Sequence, residues 1–144
     1  MILDALNLFS DAQAVTAAAA STNVIDLQSA RDIGVGENLY IGLNVDVAFT
    51  DAGSDSTLTV ALQSDVDDGF ATSLTTSTLF TIPALAAIGD TFFVRISPDQ
   101  ANQRYIRLYY TPANGDLTTG SVTAFIVHGI QKGTDYPSGF TVNK

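Results

Sequence analysis

Strict alternation of apolar side chains with polar or small ones over residues 39–49 is the feature that most constrains the fold of this chain. The odd positions are all apolar: Leu39, Ile41, Leu43, Val45, Val47 and Phe49. The even positions hold Tyr40, Gly42, Asn44, Asp46 and Ala48. A period of two puts alternate side chains on opposite faces of a strand, so the pattern predicts a strand with one face in a core. A helix would spread the same apolar residues around its circumference.

A second strand is predicted directly after the first. Leu58, Val60 and Leu62 alternate with threonine and alanine, and the preceding residues 51–56 are rich in aspartate, glycine and serine. Because these are turn-forming residues, the sequence predicts that the two strands pair as a hairpin with a longer loop. A hairpin alone cannot bury its apolar face, so the rest of the chain must supply an opposing layer.

Further short strands follow at regular spacing. They are predicted at residues 22–27, 74–82, 91–97, 104–111 and 121–131, and Asn114-Gly115 is a strong tight-turn signal. This spacing is typical of an all-β, antiparallel, jelly-roll-like sandwich. We expect one domain over residues 1–144, with a sandwich core at 22–131 between extended terminal arms at 1–21 and 132–144. Because residues 12–20 hold six alanines, the first arm is predicted as either a short helix or an extended tail.

Composition excludes several classes of partner and site. The net charge is −9 and the six basic residues do not cluster, so neither nucleic acid nor an anionic membrane is an expected partner. The absence of cysteine excludes disulfides, thiol nucleophiles and thiolate metal sites. The chain has no run of about 18 apolar residues, and its first residues do not resemble a signal peptide, so we expect synthesis in a cytoplasm.

No catalytic, cofactor or metal site is predicted. The only histidine, His128, lies within a predicted strand, and no G-x-S-x-G motif accompanies it, so a structural role is favoured. Asp65, Asp67 and Asp68 precede Gly69 and resemble the start of a calcium loop, but the ligand spacing fails. The sequence therefore predicts a solvated acidic turn at these positions.

Two arginines lie on predicted strands beside aromatic or hydroxyl residues two positions away. Arg95 is flanked by Phe93, and Arg107 is flanked by Tyr105 and Tyr109. Such rows form cation–π contacts on an exposed sheet face, or they contact a partner, because arginine and tyrosine are enriched at interfaces.

Four segments carry a family resemblance. Residues 9–13 read FSDAQ, residues 21–27 read STNVIDL, residues 30–36 read ARDIGVG and residues 136–142 read YPSGFTV. Together they resemble the capsid cement (decoration) proteins of tailed bacteriophages, of the jelly-roll type seen in Bordetella phage. The resemblance implies a non-enzymatic protein, made in the host bacterial cytoplasm, that sits on the outer capsid surface of the virion. It further implies that the protein binds the major capsid protein and other copies of itself, as a dimer or trimer.

Large apolar residues in the two terminal segments are the predicted contacts with the shell or with sister subunits. They are Leu6 and Phe9 in the first segment, and Tyr136 and Phe140 in the second. Soluble monomers rarely expose such groups contiguously, so something is expected to cover them. The alternative is that the segments fold back on their own sandwich as closing strands.

The main alternative function is that of a carbohydrate-binding β-sandwich module of a phage or secreted protein. Such a module presents a row of aromatic side chains on one exposed face, and Tyr105 and Tyr109 are spaced to form one. The chain has no tryptophan, which this class of module usually carries. A hydrolase is the weakest interpretation, since no carboxylate pair is placed convincingly.

Overall fold

The structure, a computed structural model, describes residues 4–130, so Tyr136 and Phe140 lie outside the described residues. Within that range it contains a short 3-10 turn and nine strands. The turn is Ala5–Asn7, and the strands are β1 (Leu8–Ala14), β2 (Ala19–Ala20), β3 (Ile25–Asp26), β4 (Leu39–Thr50), β5 (Thr57–Asp65), β6 (Thr75–Ile82), β7 (Thr91–Arg95), β8 (Tyr105–Ala113) and β9 (Thr119–His128).

The strands form two antiparallel sheets. Sheet 1 has the order β1-β9-β4-β7, and sheet 2 has the order β2-β8-β5-β6 with β3 also pairing with β8. The pairs are nested: β1 pairs with β9, β2 and β3 with β8, β4 with β7, and β5 with β6. A long antiparallel ribbon rolled up in this way is a jelly roll. The predicted antiparallel sandwich of jelly-roll type is confirmed.

The core lies between the sheets and follows the period-two pattern. Seven of the nine apolar residues that the two alternating patterns place on the core face are at most 1% exposed: Ile41, Leu43, Val45, Phe49, Leu58, Val60 and Leu62. Leu39 is partly buried against the same cluster. Val47 is the exception, because the register between β4 and β9 shifts between Val45 and Val47. Such a bulge turns Val47 outward, and a second shift before Thr50 returns Phe49 to the core.

The predicted hairpin between the first two strands is wrong. β4 lies in sheet 1 and β5 in sheet 2, so the two strands face each other across the core. The connection crosses between the sheets and is held by Asp51, whose Oδ2 accepts the N–H groups of Gly53, Asp55 and Ser56. An alternating pattern reports which face of a strand is apolar, and two such faces can pack across a core as readily as lie side by side.

The amino-terminal segment is built into the edges of both sheets. β1 pairs with β9, and the alanine-rich stretch forms β2 against β8 instead of a helix. Between the sheets, the hydroxyls of Ser10 and Tyr110 are hydrogen-bonded at 2.7 Å, and burial raises the pKa of Tyr110 to about 12. Helix propensity is a weak preference that the unpaired edge of β8 overrides.

Candidate functional site

An open groove lies at one end of the sandwich. Its volume is about 460 Å³. The start of β4, the end of β9, β3 and the segment that follows β3 form it. We call it the end groove, and its lining residues are Asn7, Ile25, Leu27, Arg31, Ile33, Val35, Glu37, Leu39, Ile126 and His128.

The floor of the end groove is aliphatic and its rim is polar. Five lining side chains pack partly against the core: Ile25, Leu27, Ile33, Leu39 and Ile126. On the rim, His128 Nε2 lies 3.5 Å from Glu37 Oε2, and both side chains are exposed. His128 is thus the last residue of β9, at the mouth of the groove, and its nearest charged partner is a single carboxylate.

The loop over residues 27–37 is held firmly in place, so one wall of the groove is preformed. Asp32 accepts the N–H of Gly34 at 2.9 Å through Oδ1 and that of Asp99 at 2.7 Å through Oδ2. A Cβ on Gly34 would stand 2.2 Å from the carbonyl oxygen of Ser97, so only glycine permits this close approach. Packing of this loop against Ser97 therefore requires glycine at position 34.

One exposed apolar side chain lines the end groove, and three others are close in sequence to residues that line it. Leu6 is 82% exposed and precedes Asn7, Val24 is 41% exposed and precedes Ile25, and Val35 lines the groove itself. Ile130, the last described residue, follows His128 by two positions. Val35, which is 64% exposed, is thus the one exposed large apolar residue among those that line the groove.

A second group of exposed apolar side chains lies elsewhere on the molecule. Val47, Leu85 and Ile88 project from the bulge in β4 and from the loop beside it. That loop is fixed to β4 by hydrogen bonds from Gly89 N–H to the Val45 carbonyl and from Phe49 N–H to the Ala86 carbonyl. We call these three residues the loop patch.

The predicted contact residues divide into three cases. Leu6 is exposed beside the end groove, where a contact is possible. Phe9 is 0% exposed and belongs to the core, where β1 places it, so it is not available to a partner in this conformation. Tyr136 and Phe140 lie outside the described residues. The sequence missed the groove residues, because residue 7, the stretch 25–39 and residues 126–128 are brought together only by the fold.

The comparison with known proteins identifies the family. The family model for Bbp16, a Bordetella phage protein family, matches residues 9–126, which is most of the chain. The chain belongs to the Bbp16 family. No curated protein matches it.

The family match covers both sheets of the jelly roll and most of the end groove. The match begins at Phe9, the second residue of β1, and ends at Ile126 in β9. Leu6 and the residues after Ile126 therefore lie outside the match. Among residues 4–130 there is no helix long and apolar enough to cross a membrane. Family membership makes this chain a phage protein, and the structure shows that its fold is a jelly roll.

The row of arginine and tyrosine side chains predicted on β8 lies on the outer face of sheet 2. Tyr105, Arg107 and Tyr109 are half-buried on that face, alternating with buried neighbours. Arg107 makes a cation–π contact, but its partner is Phe70, at 4.0 Å from the ring centroid, and not a flanking tyrosine. Its Nε also donates to Gln63 Oε1 at 2.7 Å. Intramolecular contacts thus occupy the Arg107 guanidinium.

A bidentate ion pair joins β3 to the start of β8. Arg104 donates from Nε and Nη2 to the two carboxylate oxygens of Asp26, at 2.9 and 2.8 Å, and stacks over Tyr105. The hydrogen bonds from Arg104 lower the pKa of Asp26 to about 2. Since both side chains are substantially exposed, the pair orients the edge strand and adds little stability.

The acidic turn after β5 has a structural role, because one of its carboxylates holds the backbone of the following loop. Asp65 was predicted to be solvated, and this is wrong: it is 0% exposed. Its carboxylate accepts the N–H groups of Asp67, Thr72 and Ser73 at 3.0–3.2 Å. Burial favours the neutral acid, but these N–H groups outweigh that effect and lower the pKa of Asp65. The Asp65 carboxylate therefore accepts the hydrogen bonds that backbone carbonyl groups would accept in a regular strand or helix.

Asp65→Asn should lower the melting temperature at pH 7 by roughly 5 °C or more, because an amide accepts fewer of these hydrogen bonds. The folded-state pKa of Asp65 lies below the unfolded value of about 4, so its stabilisation is present above that value. It is lost as the pH falls through the folded-state pKa. The difference in melting temperature between variant and wild type should therefore shrink as the pH is lowered below about 4. Exposed Asp68→Asn is the control, and a similar loss there would contradict this role.

Calcium should not stabilise this protein. Asp65 already directs both oxygens at backbone N–H groups, which leaves Asp67 and Asp68 as solvent-exposed single carboxylates. Thermal melts in millimolar calcium and in chelator should therefore coincide. A rise of several degrees with calcium would mean that the acidic turn rearranges to bind it.

Proposed function

We propose that this protein is a structural component of a bacteriophage virion that binds the outside of the capsid shell and strengthens it. Its partners are the major capsid protein and other copies of itself, and it acts without catalysis. Membership of the Bbp16 family is the observation that carries the proposal. The jelly-roll fold fits the role, because capsid proteins are among the established users of this fold.

Charge supports a location outside the shell. The chain has a net charge of −9. The packaged genome is a polyanion, and binding to it requires clustered basic groups. Arg104 and Arg107 are engaged by Asp26, Gln63 and Phe70 within the same chain. An acidic protein of this kind is favoured on the face away from the DNA.

The end-groove surface is the proposed contact with the shell. Leu6 is the most exposed large apolar side chain among the described residues and directly precedes Asn7, which lines the groove together with Val35. Burying one leucine contributes about 1.5–3 kcal/mol, which corresponds to roughly a 10- to 150-fold change in affinity. Many copies on one particle convert such modest contacts into firm attachment.

Leu6→Ser tests this contact against a matched change at the loop patch, Ile88→Ser. Both residues are highly exposed, at 82% and 72%, so neither substitution should affect folding. Purified variants are mixed with shells that lack the protein, and bound protein is measured by co-sedimentation. We expect Leu6→Ser to need at least about tenfold more protein for half-decoration, and Ile88→Ser to match wild type.

Each other outcome has a definite meaning. Loss of binding only in Ile88→Ser would move the contact to the loop patch. Equal binding by all three proteins would exclude both surfaces. Failure of the wild-type protein to bind shells of its own phage would overturn the decoration function itself.

Carbohydrate binding is the second candidate, favoured by the tyrosine row on sheet 2. Tyr105 and Tyr109 do lie on the same outer face, and Arg107 lies between them. Against it, the guanidinium of Arg104 already covers the ring of Tyr105. A glycan screen with wild type and Tyr109→Ala separates the two functions, because only a sugar-binding module should give a signal that the substitution removes.

A further inference from the structure

The free edge of β6 is the longest unprotected sheet edge among residues 4–130. Sheet 2 ends at β6, which pairs with β5 on one side and with no other described strand. The edge of β1 is partly covered, because the Phe9 carbonyl accepts the N–H of Asn23. β7 has only five residues and ends at Arg95, and β2 and β3 have two residues each. With eight residues, β6 is the exception.

The composition of β6 leaves this edge open to pairing. Natural proteins protect their edge strands with charge, with proline or by making them short. β6 reads TTSTLFTI, and residues 69–89 contain no charged side chain, although the chain has a net charge of −9. Threonine favours strands, and a neutral edge is where two acidic copies repel each other least. A register shift opposite Val60 and Ala61 leaves Thr75–Thr78 as the regular part of the edge.

The direction of the backbone groups of β6 follows from its neighbours. Leu108 donates its N–H to Ser21 Oγ and accepts the Ser21 N–H at its carbonyl, so these groups point away from β5. Since Leu62 lies opposite Leu108, the N–H and carbonyl of Leu62 point toward β6. Ser77, opposite Leu62, is therefore hydrogen-bonded to β5. The direction alternates along a strand, so the residues on either side of Ser77 point their backbone groups to the free edge.

These two residues, Thr76 and Thr78, suit a second copy of the same strand. Both are exposed, and an antiparallel strand is complementary to itself across a two-fold axis, because each donor meets an acceptor of the other copy. Leu74 directly precedes β6 and is 46% exposed. Antiparallel pairing brings it to the far end of β6 in the other copy, which holds the partly buried Leu79 and Phe80.

We propose that two copies of this chain associate through the free edges of β6, antiparallel across a two-fold axis, so that sheet 2 continues from one copy into the other. The contact is closed by its symmetry, so it forms a dimer and not a fibre. This inference rests on the proposed function only in naming another copy as a partner, and its tests use the isolated full-length protein.

Thr78→Pro tests the pairing of the edge. Proline removes the outward N–H of Thr78 and places its ring at the edge, while the hydrogen bonds to β5 remain. In sedimentation measurements over a range of concentrations, wild type should pass from monomer to dimer. The variant should have a dissociation constant at least about tenfold higher, because the change occurs twice in a dimer. Thr78→Val, which keeps the N–H and the preference for strands, is the matched control and should dimerise like wild type.

Leu74→Glu provides a second test that does not alter the strand. Its exposed position should leave folding intact, as circular dichroism checks for all variants, and it should weaken the dimer severalfold because an apolar contact becomes charged. If Thr78→Pro does not fold, this variant decides. A wild-type protein that is monomeric up to about 1 mM would overturn the proposal, and so would dimers unaffected by both changes.

The dimer and the decoration of shells can fail separately. If wild type dimerises through β6 but does not bind shells, the proposed function is wrong and the dimer remains. If wild type is monomeric and Thr78→Pro binds shells less well, the edge accepts a strand of the shell protein, and the proposal of a second copy is wrong.

Discussion

A Val45→Asp variant should not fold, whereas Val47→Asp should give a folded protein of nearly wild-type stability. Val45 is 1% exposed in the core between the sheets, and Val47 is 48% exposed. Burying an unpaired carboxylate costs several kcal/mol, and the lost packing of valine adds to it. A domain of this size has a free energy of unfolding of about 5–15 kcal/mol, so the first change removes most or all of it.

The comparison between the two variants tests the bulge in β4 directly. The residues are two positions apart, so an unbroken strand would place both side chains on the same face. Soluble expression, circular dichroism and thermal melts provide the measurement. If both variants unfold, Val47 is in the core and β4 runs without the register shift. If Val45→Asp melts like wild type, the sandwich core is wrongly assigned.

Gly120→Ala should lower the free energy of unfolding by about 2–4 kcal/mol, combining backbone strain with overpacking. Gly120 has a φ of +151°, which side-chain-bearing residues rarely adopt. A Cβ there would stand 2.2 Å from Cδ1 of Phe49, and Phe49 is only 1% exposed, so its ring has little room to move. Denaturant unfolding at neutral pH measures the loss.

Gly115→Ala is the matched control for this change. Gly115 also has a positive φ, +118°, but its nearest neighbour to a new Cβ is Ser56 Oγ at an ordinary 3.6 Å. Gly115→Ala should lower the free energy of unfolding only through backbone strain, by about 1–2 kcal/mol. The losses of Gly120→Ala and Phe49→Ala should sum to less than expected in the double variant, because truncation of Phe49 at Cβ removes every ring atom that the new methyl group meets. Equal losses in the two glycine variants, or no coupling to Phe49, would contradict the packing explanation.

The distribution of apolar residues was enough to predict the fold class and most of the core. Apolar residues such as Ile41, Leu43 and Val45 occupy every second position because one face of a sandwich strand is buried. This pattern is local in sequence and can be recognised without knowledge of the fold. The short strands at regular spacing likewise predicted the sandwich, and Asn114-Gly115 predicted a turn where both residues have positive φ. Motif resemblance supplied the phage family, which the match over residues 9–126 confirms.

Tertiary structure alone decided how those strands are arranged and where the candidate site lies. Whether β4 and β5 pair or face each other depends on contacts with β7, β8 and β9, which are distant in sequence. The outward turn of Val47, the burial of Phe9 in an edge strand and the burial of Asp65 by backbone N–H groups arise from the same long-range contacts. The end groove is assembled from three separate stretches of the chain, at residue 7, residues 25–39 and residues 126–128. A period-two pattern records which face of each strand is apolar, but pairing, register and the meeting of loops depend on the free energy of the whole chain.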